Sequence, residues 1–495
     1  MPPIRRTLLF SILGFALFLH ESTAAGEIKT EDGCVFSEGA AREKAAVENH
    51  LPPKVRFSGE DSPDRPLADR MEALNVPGMS FALIKGGEIQ WSEGYGVTLA
   101  GEEAAVTCDT LFQAASLSKP VTLIAAMRMH EAGLIDIDAD IQSYLQEYEL
   151  PAGAHSADNP VTFRNLLAHT SGLSAGGFMG YAQDEGFPAD IDVLMGTGGS
   201  NSPKVEAPHT PGAELAYSGG GYTVAEVAIQ DVTGSSFSAA MNKWILGPAG
   251  MQRSDFAQPL PEGKHPQAAR GHDSGGKAVA GGWRNHPEQA AAGLWSTAND
   301  MATFLVELYK AYHGDSDILK QETVRGMISD RRDGHVYGFR VDGDGESLSI
   351  RHYGGNVGYR SFMMVHLGTG DGAVYLTNSD NGIALGEELL FSLAEVYGWP
   401  GYDQIEKTRV QRSAEELRKL VGAYEFDGGL RVTIDYTTSE NAIGIIFPNG
   451  DRYSLTPVSG QSEFIHPDTG VEVSFGTSEA TQLLTVYGDT AIKVE

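Results

Sequence analysis

The sequence has few cysteines and no long hydrophobic segment. Cys34 and Cys108 are its two cysteines among 495 residues, which excludes a small scaffold held together by many disulfides. The longest apolar run near the N-terminus, residues 8–19, has twelve residues, whereas a spanning helix needs about 20. The mature chain is therefore predicted to have no membrane span.

Basic residues are also scarce. The chain has 36 Lys and Arg against 66 Asp and Glu, a formal net charge of −30. Such a surface repels phosphate backbones and anionic headgroups, so nucleic acid and membrane surfaces are excluded as expected partners. Hydrophobic residues at 41% and charged residues at 21% are typical of a globular protein. The composition leaves the oligomeric state open.

The N-terminus has the pattern of a signal peptide over residues 1–25. Arg5 and Arg6 precede the apolar run at residues 8–19, and small residues at 22–25 offer a cleavage site. The pattern predicts a secreted or periplasmic protein. Cys34 and Cys108 would then lie in an oxidising compartment, where one disulfide and two unpaired thiols both remain open.

The first clear structural unit is a β-hairpin that follows a polar lead-in to about residue 54. Its strands, Met79–Ile84 and Glu88–Ser92, flank a turn with two glycines. Apolar periodicity predicts helices that begin at Ser116 and Thr162 and others at 223–232, 237–245, 298–312 and 385–397. Residues 174–215 and 257–292 are rich in Gly, Pro, Asp and His without a period, which indicates long surface loops. Strands are predicted again at 349–352, 361–367 and 373–377.

The composition changes near residue 400. A helix predicted at Ser413–Val421 is followed by eight short strand patterns at roughly ten-residue spacing. This arrangement is typical of a small β-barrel or sandwich. We place the domain boundary between Gly401 and Ser413.

The strongest chemical motif is Ser116-Leu117-Ser118-Lys119 at the start of a predicted helix. Residues at i and i+3 share one helix face, so Lys119 can lie beside the Ser116 hydroxyl and accept its proton. The helix N-terminus also stabilises negative charge that forms there. S-x-x-K is common by chance, and alone it also fits a solvated helix start.

Three other patterns favour structural interpretations. Gly172-Leu173-Ser174-Ala175-Gly176 matches a nucleophile elbow, but a helix and not a strand precedes it. Asp136, Asp138 and Asp140 alternate like a calcium loop, yet Ile141 stands where that loop needs glycine. No H-E-x-x-H or comparable histidine cluster predicts a metal site. His169, next to Thr170-Ser171, is interpreted as a structural hydrogen-bonding residue.

Two further motifs follow Ser116–Lys119 along the chain. Tyr217-Ser218-Gly219 places a phenol on a glycine-rich loop before a helix, and His352-Tyr353-Gly354-Gly355 places two glycines on a strand. With these, the chain from about Leu67 to Glu395 resembles the serine β-lactamase and penicillin-binding-protein superfamily, in its class C β-lactamase, carboxypeptidase and esterase branch. The resemblance also rests on the segments 76–78, 111–119, 166–173 and 293–297.

The resemblance implies an α/β (α+β) catalytic domain, with an antiparallel sheet flanked by helices and an all-helical subdomain. We assign this domain to residues 26–404. The small all-β barrel would occupy residues 413–495 and looks like domains appended to this branch.

The same resemblance implies roles for particular residues. Ser116 would be the acyl-forming nucleophile, Lys119 its partner and Tyr217 a general base or proton shuttle. His352 would take the place of the third motif's polar or cationic residue. The backbone N–H groups of Ser116 and Gly355 would form the oxyanion hole, next to Gly354. The partner that the resemblance implies is a small-molecule or short-peptide substrate with an ester or amide carbonyl. The scheme requires no metal ion or organic cofactor.

Two departures from the lactamase pattern bear on the substrate. Gly219 stands where lactamases usually have an asparagine that contacts the substrate amide. His352 replaces a lysine, so a positive charge there would require a protonated histidine at low pH. Both departures favour an esterase or a D-amino-acid peptidase or carboxypeptidase-like enzyme over a β-lactamase. The alternative from another class is a non-catalytic module that binds cell-wall peptide or penicillin.

Overall fold

The computed structural model describes residues 27–29, 32–60, 65–331, 334–439, 441–448, 450, 452–460, 463–478 and 481–494. The predicted signal peptide lies outside these residues. Every helix within the described ranges is too short or too polar to cross a membrane.

The chain alternates between helices and strands throughout its length. The helices are α1 Ala40–Asn49, α2 Leu67–Ala73, α3 Ser118–Glu131, α4 Phe163–Leu167, α5 Asp190–Met195, α6 Gly219–Thr233, α7 Phe237–Met241, α8 Gln289–Ala292, α9 Ala298–His313, α10 Gln321–Ser329, α11 Gly382–Tyr397 and α12 Ala414–Leu420. The strands are β1 Glu27–Lys29, β2 Val35–Ser37, β3 Val55–Phe57, β4 Gly78–Lys85, β5 Glu88–Gly96, β6 Phe112–Gln113, β7 Tyr181–Ala182, β8 Arg284–Asn285, β9 Trp295–Ser296, β10 His335–Val336, β11 Phe339–Asp342, β12 Ser349–Asn356, β13 Tyr359–His366, β14 Gly372–Thr377, β15 Ile405–Lys407, β16 Gly422–Phe426, β17 Arg431–Thr437, β18 Ala442–Ile446, β19 Arg452–Pro457, β20 Phe464–Ile465, β21 Glu472–Ser478, β22 Thr481–Val486 and β23 Asp489–Lys493.

A nine-stranded antiparallel sheet forms the centre of the larger half, in the order β1-β2-β5-β4-β14-β13-β12-β11-β10. Strands β4 and β14 lie at its middle, and nearly all their residues are buried. Helices cover both faces of a sheet whose central strands are this apolar. Here α9 packs on one face, and α11 with α1 packs on the other.

The helices from α3 to α8 form a mainly helical part, which is inserted between β5 and β10 and also contains the short paired strands β7 and β8. Its central helix, α3, is buried along most of its length and packs against α8. The architecture confirms the predicted fold class, with an antiparallel sheet, flanking helices and a separate all-β barrel.

The N-terminal segment has more structure than the sequence predicted. Before residue 54, where we expected only a polar lead-in, the structure has β1, β2 and α1. Phe36 in β2 pairs with Trp91 in β5, and Cys34 forms a disulfide with Cys108. Short polar edge strands carry no long apolar alternation, so the sequence pattern gave no signal for them.

The two segments predicted as surface loops are partly buried. Residues 174–215 contain β7 and α5, and residues 257–292 contain β8 and α8. Trp283, His286 and Glu288 have at most 1% of their surface exposed. The interpretation as long surface loops was therefore wrong for these parts, because side chains distant in sequence bury them.

The C-terminal strands β16 to β23 form a closed antiparallel barrel, in which β16 pairs with both β17 and β23. The preceding segment contains β15, which pairs in parallel with β3. The barrel confirms the all-β prediction for this part of the chain. The exact domain boundaries at 404 and 413 stay a prediction.

Candidate active site

Ser116 lies in a strained turn at the start of α3. It is the middle residue of the 3-10 helix Ala115–Leu117, which runs directly into α3. Ala115 has a φ of 51°, a left-handed conformation that costs a non-glycine residue energy and often marks functional sites. Ser116 is half-buried, whereas its neighbours Ala115 and Leu117 are fully buried. The turn therefore exposes one hydroxyl at the edge of a packed core.

Lys119 reaches back to that hydroxyl along the same helix face. Its Nζ lies 3.2 Å from Ser116 Oγ and donates a second hydrogen bond to the Ala291 carbonyl, at 2.8 Å. Only 2% of Lys119 is exposed. Among the residues that the structure describes, no carboxylate lies within ion-pair distance of Nζ. The position of the amine next to the serine is therefore fixed by hydrogen bonds and not by a salt bridge.

Aromatic rings surround the Lys119 amine. Its Nζ lies 4.9 Å from the centre of the Tyr217 ring and 5.8 Å from that of Tyr222. Tyr217 is 45% exposed and its ring faces the His169 ring at 4.3 Å. The site therefore brings Ser116, Lys119 and Tyr217 together, with Tyr217 on the solvent side.

His169 has the structural hydrogen-bonding role that was predicted from the sequence. Its Nδ1 accepts a hydrogen bond from the Ser218 N–H at 3.1 Å, which fixes the backbone next to Tyr217. Burial, followed by the charge of Lys119, holds the pKa of His169 well below its usual value. A neutral imidazole beside Lys119 avoids a repulsion between two cations.

Strand β12 brings its glycines against the Ser116 turn. A Cβ on Gly354 would collide with the Ala114 carbonyl and the Ser361 hydroxyl, and it would lie 3.2 Å from Ser116 N. Gly355 is exposed, and a Cβ there would lie in ordinary van der Waals contact with the Arg360 side chain, 3.5 Å from Nη1. Because glycine alone permits this approach, the Gly355 backbone and the Ser116 N–H can face one small volume.

His352 lies close to this volume, in surroundings that favour its neutral form. Its Nδ1 lies 2.6 Å from the Tyr353 carbonyl, and a carbonyl only accepts, so Nδ1 carries the proton. Burial, followed by the charge of Lys119, lowers the pKa of His352 to about 3. The lowered pKa disfavours a protonated His352, and its supply of a cation at low pH stays a prediction. In the structure His352 presents an unprotonated Nε2, which accepts hydrogen bonds.

The space into which a side chain at position 219 would extend is occupied by the Phe178 ring. A Cβ on this residue would lie 2.9 Å from the Phe178 ring and 3.3 Å from the Ala175 carbonyl. A longer side chain would need the loop around Phe178 to move. The structure thus replaces the space for a lactamase-type amide with an aromatic ring.

Three buried ionisable residues in or beside α8, the helix that binds Lys119 through the Ala291 carbonyl, were missed by the sequence analysis. Glu226 Oε2 accepts a hydrogen bond from the Ala290 N–H in α8, at 2.8 Å. The carbonyl of the next residue, Ala291, accepts the hydrogen bond from Lys119. Glu226 therefore helps to hold this turn of α8 in place. Burial raises the pKa of Glu226 well above its usual value and raises that of Glu288 to about 7. It lowers the pKa of His286 to about 3. A lone acid within the apolar stretch of α6 was the one signal that could have identified Glu226.

The alternative motifs lie in structural settings. Ser174 follows α4 in a loop, and its Oγ accepts from the Glu206 N–H at 2.8 Å. Asp138 forms an ion pair with Arg164. In the described part of the chain, no group of three or more His, Cys, Asp or Glu side chains could hold a metal ion.

Comparison with known proteins identifies the family. The family model described as Beta-lactamase matches residues 64–397. Among curated relatives, Protein flp of Staphylococcus aureus (strain N315) is 24% identical over 202 residues, which cover 41% of this chain and 39% of that protein. The match with flp thus spans about two fifths of that relative. Penicillin-binding protein 4* of Bacillus subtilis (strain 168) is 23% identical over 432 residues, 82% of this chain and 91% of the relative.

A solved structure shows the same fold. The octameric penicillin-binding protein homologue from Pyrococcus abyssi superposes with a TM-score of 0.58 at 21% identity, over 86% of this chain and 98% of that one. This likeness extends past the family match, which already covers more than half of the 495 residues. The chain therefore belongs to the β-lactamase family, whose members are serine hydrolases.

Proposed function

We propose that this chain is a secreted serine hydrolase that cleaves ester or amide bonds through a covalent acyl-Ser116 intermediate. One observation carries the proposal: the buried Lys119 Nζ lies 3.2 Å from Ser116 Oγ. A nucleophile needs a base within hydrogen-bond distance. A module that only bound its ligand would have no need for a buried lysine aimed at a half-buried hydroxyl.

In the proposed acylation step, the Ser116 oxygen forms a bond to the substrate carbonyl carbon while its proton passes to Lys119. The carbonyl oxygen becomes an oxyanion in a tetrahedral intermediate. When this intermediate collapses, the C–O or C–N bond to the leaving group breaks. The leaving group takes the proton, by way of Tyr217, which lies on the solvent side of Lys119. Water then attacks the carbonyl carbon of the acyl-enzyme and gives up a proton to Lys119 by way of Tyr217. The bond from the acyl carbon to Ser116 Oγ breaks, Ser116 takes the proton back from Lys119, and the acid is released.

The oxyanion would accept hydrogen bonds from the Ser116 and Gly355 N–H groups. Gly354 brings β12 against the Ser116 backbone, and Asn356 anchors the end of β12 by donating to Gln113 Oε1 at 2.8 Å. Donors fixed in this way need no rearrangement during the reaction. One such donor contributes on the order of 3 kcal/mol to catalysis.

The substrate we propose is an ester or amide that needs no free carboxylate for recognition. The lowered pKa of His352 favours its neutral form, and the nearby Arg360 is paired with Asp380 at 2.9 Å. With Phe178 beside Gly219, the contact to a substrate amide is also missing. These features favour ester hydrolysis first and D-amino-acid peptides second. They disfavour β-lactam hydrolysis, which remains the alternative within this family.

The proposed location outside the cytoplasm rests on two features. The segment at residues 1–25 has the signal-peptide pattern. The disulfide between Cys34 and Cys108 also forms where the compartment is oxidising.

The test is covalent labelling with a fluorophosphonate, followed by turnover of a short-chain aryl ester, a D-alanyl peptide and a chromogenic cephalosporin. We expect the wild type to be labelled and to hydrolyse the ester fastest. Ser116→Ala should lose both signals. Ser174→Ala, which alters the other serine in a nucleophile-like motif, is the matched control and should keep them.

Equal labelling of Ser116→Ala and the wild type would overturn the assignment of the nucleophile. If the wild type formed no adduct by mass spectrometry and turned over none of the three substrates, the non-catalytic binding module would replace the enzyme. Fastest turnover of the cephalosporin would instead make the chain a β-lactamase.

A further inference from the structure

The C-terminal barrel is closed at one end by a helix. Leu417 of α12 has 1% of its surface exposed and belongs to the barrel core. The Tyr424 hydroxyl at the start of β16 donates to the Leu420 carbonyl at the end of α12, at 2.8 Å. These contacts cap that end with apolar side chains.

The barrel also has a pocket that opens to solvent. A cavity of about 510 Å³ is lined by Ile445, Leu455, Val473 and Val486, which belong to the barrel core and are at most 6% exposed. An eight-stranded barrel is just wide enough to be filled by its own side chains or to hold one small ligand. Ligand sites typically have volumes of roughly 300–1,000 Å³. The barrel therefore has room for a small molecule.

Large apolar side chains surround the cavity opening. Phe447, Tyr453 and Tyr487 line it, and Tyr487 is 80% exposed while Tyr453 is 37% exposed. A second cavity of about 320 Å³ shares Phe447 and Tyr487 with the first and adds Leu430, which is 47% exposed. Exposed apolar side chains grouped in this way mark binding sites. An occupant of the cavity would cover them.

The polar groups at the cavity restrict the ligand's charge. His466 Nδ1 accepts from the Thr469 N–H at 3.1 Å, so the remaining proton of the neutral ring is on Nε2, a donor. Asp427 and Asp489 line the second cavity, and no Lys or Arg lines either cavity among the described residues. Carboxylates without basic partners repel an anionic headgroup. These groups therefore disfavour an anionic ligand, and the Nε2–H of His466 offers a hydrogen bond to an acceptor oxygen or nitrogen.

We propose that the barrel binds an uncharged, mostly apolar small molecule in this cavity, of the size of a bicyclic aromatic compound or a medium-length alkyl chain with one polar atom. The site is separate from Ser116. It gives the chain a second binding function that does not depend on the proposed hydrolase activity.

The test titrates the full chain with N-phenyl-1-naphthylamine, a neutral probe whose fluorescence rises in apolar sites. We expect saturable binding that decanol displaces and that decanoate, its anionic counterpart, displaces at least about tenfold less well. Prior labelling of Ser116 by a fluorophosphonate should leave probe binding unchanged.

Val471→Trp places a large ring in the cavity, because Val471 lines it and is half-buried. Ile492→Trp is the matched control: it adds the same ring at a residue that is 51% exposed and lines neither cavity. We expect at least about tenfold weaker probe binding for Val471→Trp and unchanged binding for Ile492→Trp. Phe447→Ser, at the half-buried opening, is the second variant and should also weaken binding.

Several outcomes would overturn the proposal. These are no fluorescence rise with the wild type, equal binding by Val471→Trp, Phe447→Ser and Ile492→Trp, or loss of the probe signal when Ser116 is labelled. Equal displacement by decanol and decanoate would overturn the inference of an uncharged ligand.

Discussion

The catalytic half and the C-terminal barrel both enclose β-sheet cores, yet they fill them differently. The catalytic half buries ionisable side chains beside its core, among them Lys119, Glu226, His286 and Glu288. In the barrel, the described core residues are apolar and surround a cavity of about 510 Å³. The catalytic half therefore fixes polar groups within its core, whereas the barrel lines a pocket with apolar side chains.

The difference reflects two kinds of work. Catalysis needs donors and bases that are held in place before the substrate arrives, and the hydrogen bonds around Lys119 provide this. Binding an apolar molecule needs volume and apolar area. We therefore expect substitutions in the catalytic half to have large effects on the reaction rate, on the pH dependence of stability and on the free energy of unfolding. Matched substitutions in the barrel should have small effects on the same quantities.

The largest effect is expected for Lys119→Met. Removing the group that receives the Ser116 proton should slow ester turnover and fluorophosphonate labelling by about 10³-fold, within the range for general acid–base groups. The measurement is kcat/KM for an aryl ester, together with the labelling rate. Lys243→Met, at an exposed lysine, is the control and should react like the wild type. A variant at Lys119 that stayed within about tenfold of the wild-type rate would contradict the proposed proton path.

The disulfide should contribute the next largest effect. Cys34 and Cys108 are 74 residues apart, so a chain-entropy model predicts that replacing both with serine costs about 4 kcal/mol. All five tryptophans precede residue 400, so tryptophan fluorescence in a urea titration reports on the catalytic half alone. Binding of the neutral probe to the barrel should persist in the variant. A cost below about 1 kcal/mol would show that the N-terminal strands add little to this half.

Local sequence patterns were sufficient to predict the main elements of both halves. The spacing from Ser116 to Lys119 predicted one helix face, and the structure places the two side chains together. The eight C-terminal strands were predicted from alternation and turn residues. Closure of the barrel depends on pairing between β16 and β23, which are distant in sequence, so no local pattern indicated the cavity.

The buried neighbours of Lys119 could not be predicted for the same reason. His286 and Glu288 lie in a segment without periodicity, and contacts with distant residues bury them. The pairing of Cys34 with Cys108 likewise depends on β2 lying beside β5. Local spacing determines which side chains share a face, whereas burial and charge state follow from tertiary packing.

Glu288 should make the stability of the catalytic half depend on pH. Burial raises its pKa from 4.5 to about 7, so the folded state holds a proton that the unfolded state releases. Its unfavourable contribution is absent below pH 4.5, grows as the pH rises to about 7 and remains above that. Glu288→Gln should therefore gain stability relative to the wild type across this window, by about 3 kcal/mol at most.

The measurement is the free energy of unfolding from urea titrations between pH 4 and pH 8, followed by tryptophan fluorescence. The difference between the two proteins at pH 4, where both side chains are neutral, is the internal control. Curves that stay parallel up to pH 8 would contradict a buried, proton-holding Glu288.

The smallest effect compares one methyl group in each half. Ile124 in α3 is fully buried within the packed core, whereas Ile445 lines the barrel cavity. Ile→Val in a packed core costs about 1 kcal/mol, in part through the space left behind. Because Ile445 already borders empty space, its lost methyl group forfeits fewer contacts, so Ile445→Val should cost less than Ile124→Val in urea titrations followed by circular dichroism.

Decanol should stabilise the Ile445→Val variant and leave the Ile124→Val transition unchanged, since the ligand replaces contacts only where the cavity is. Equal costs, with no effect of decanol on either variant, would mean that the barrel is packed like the catalytic half.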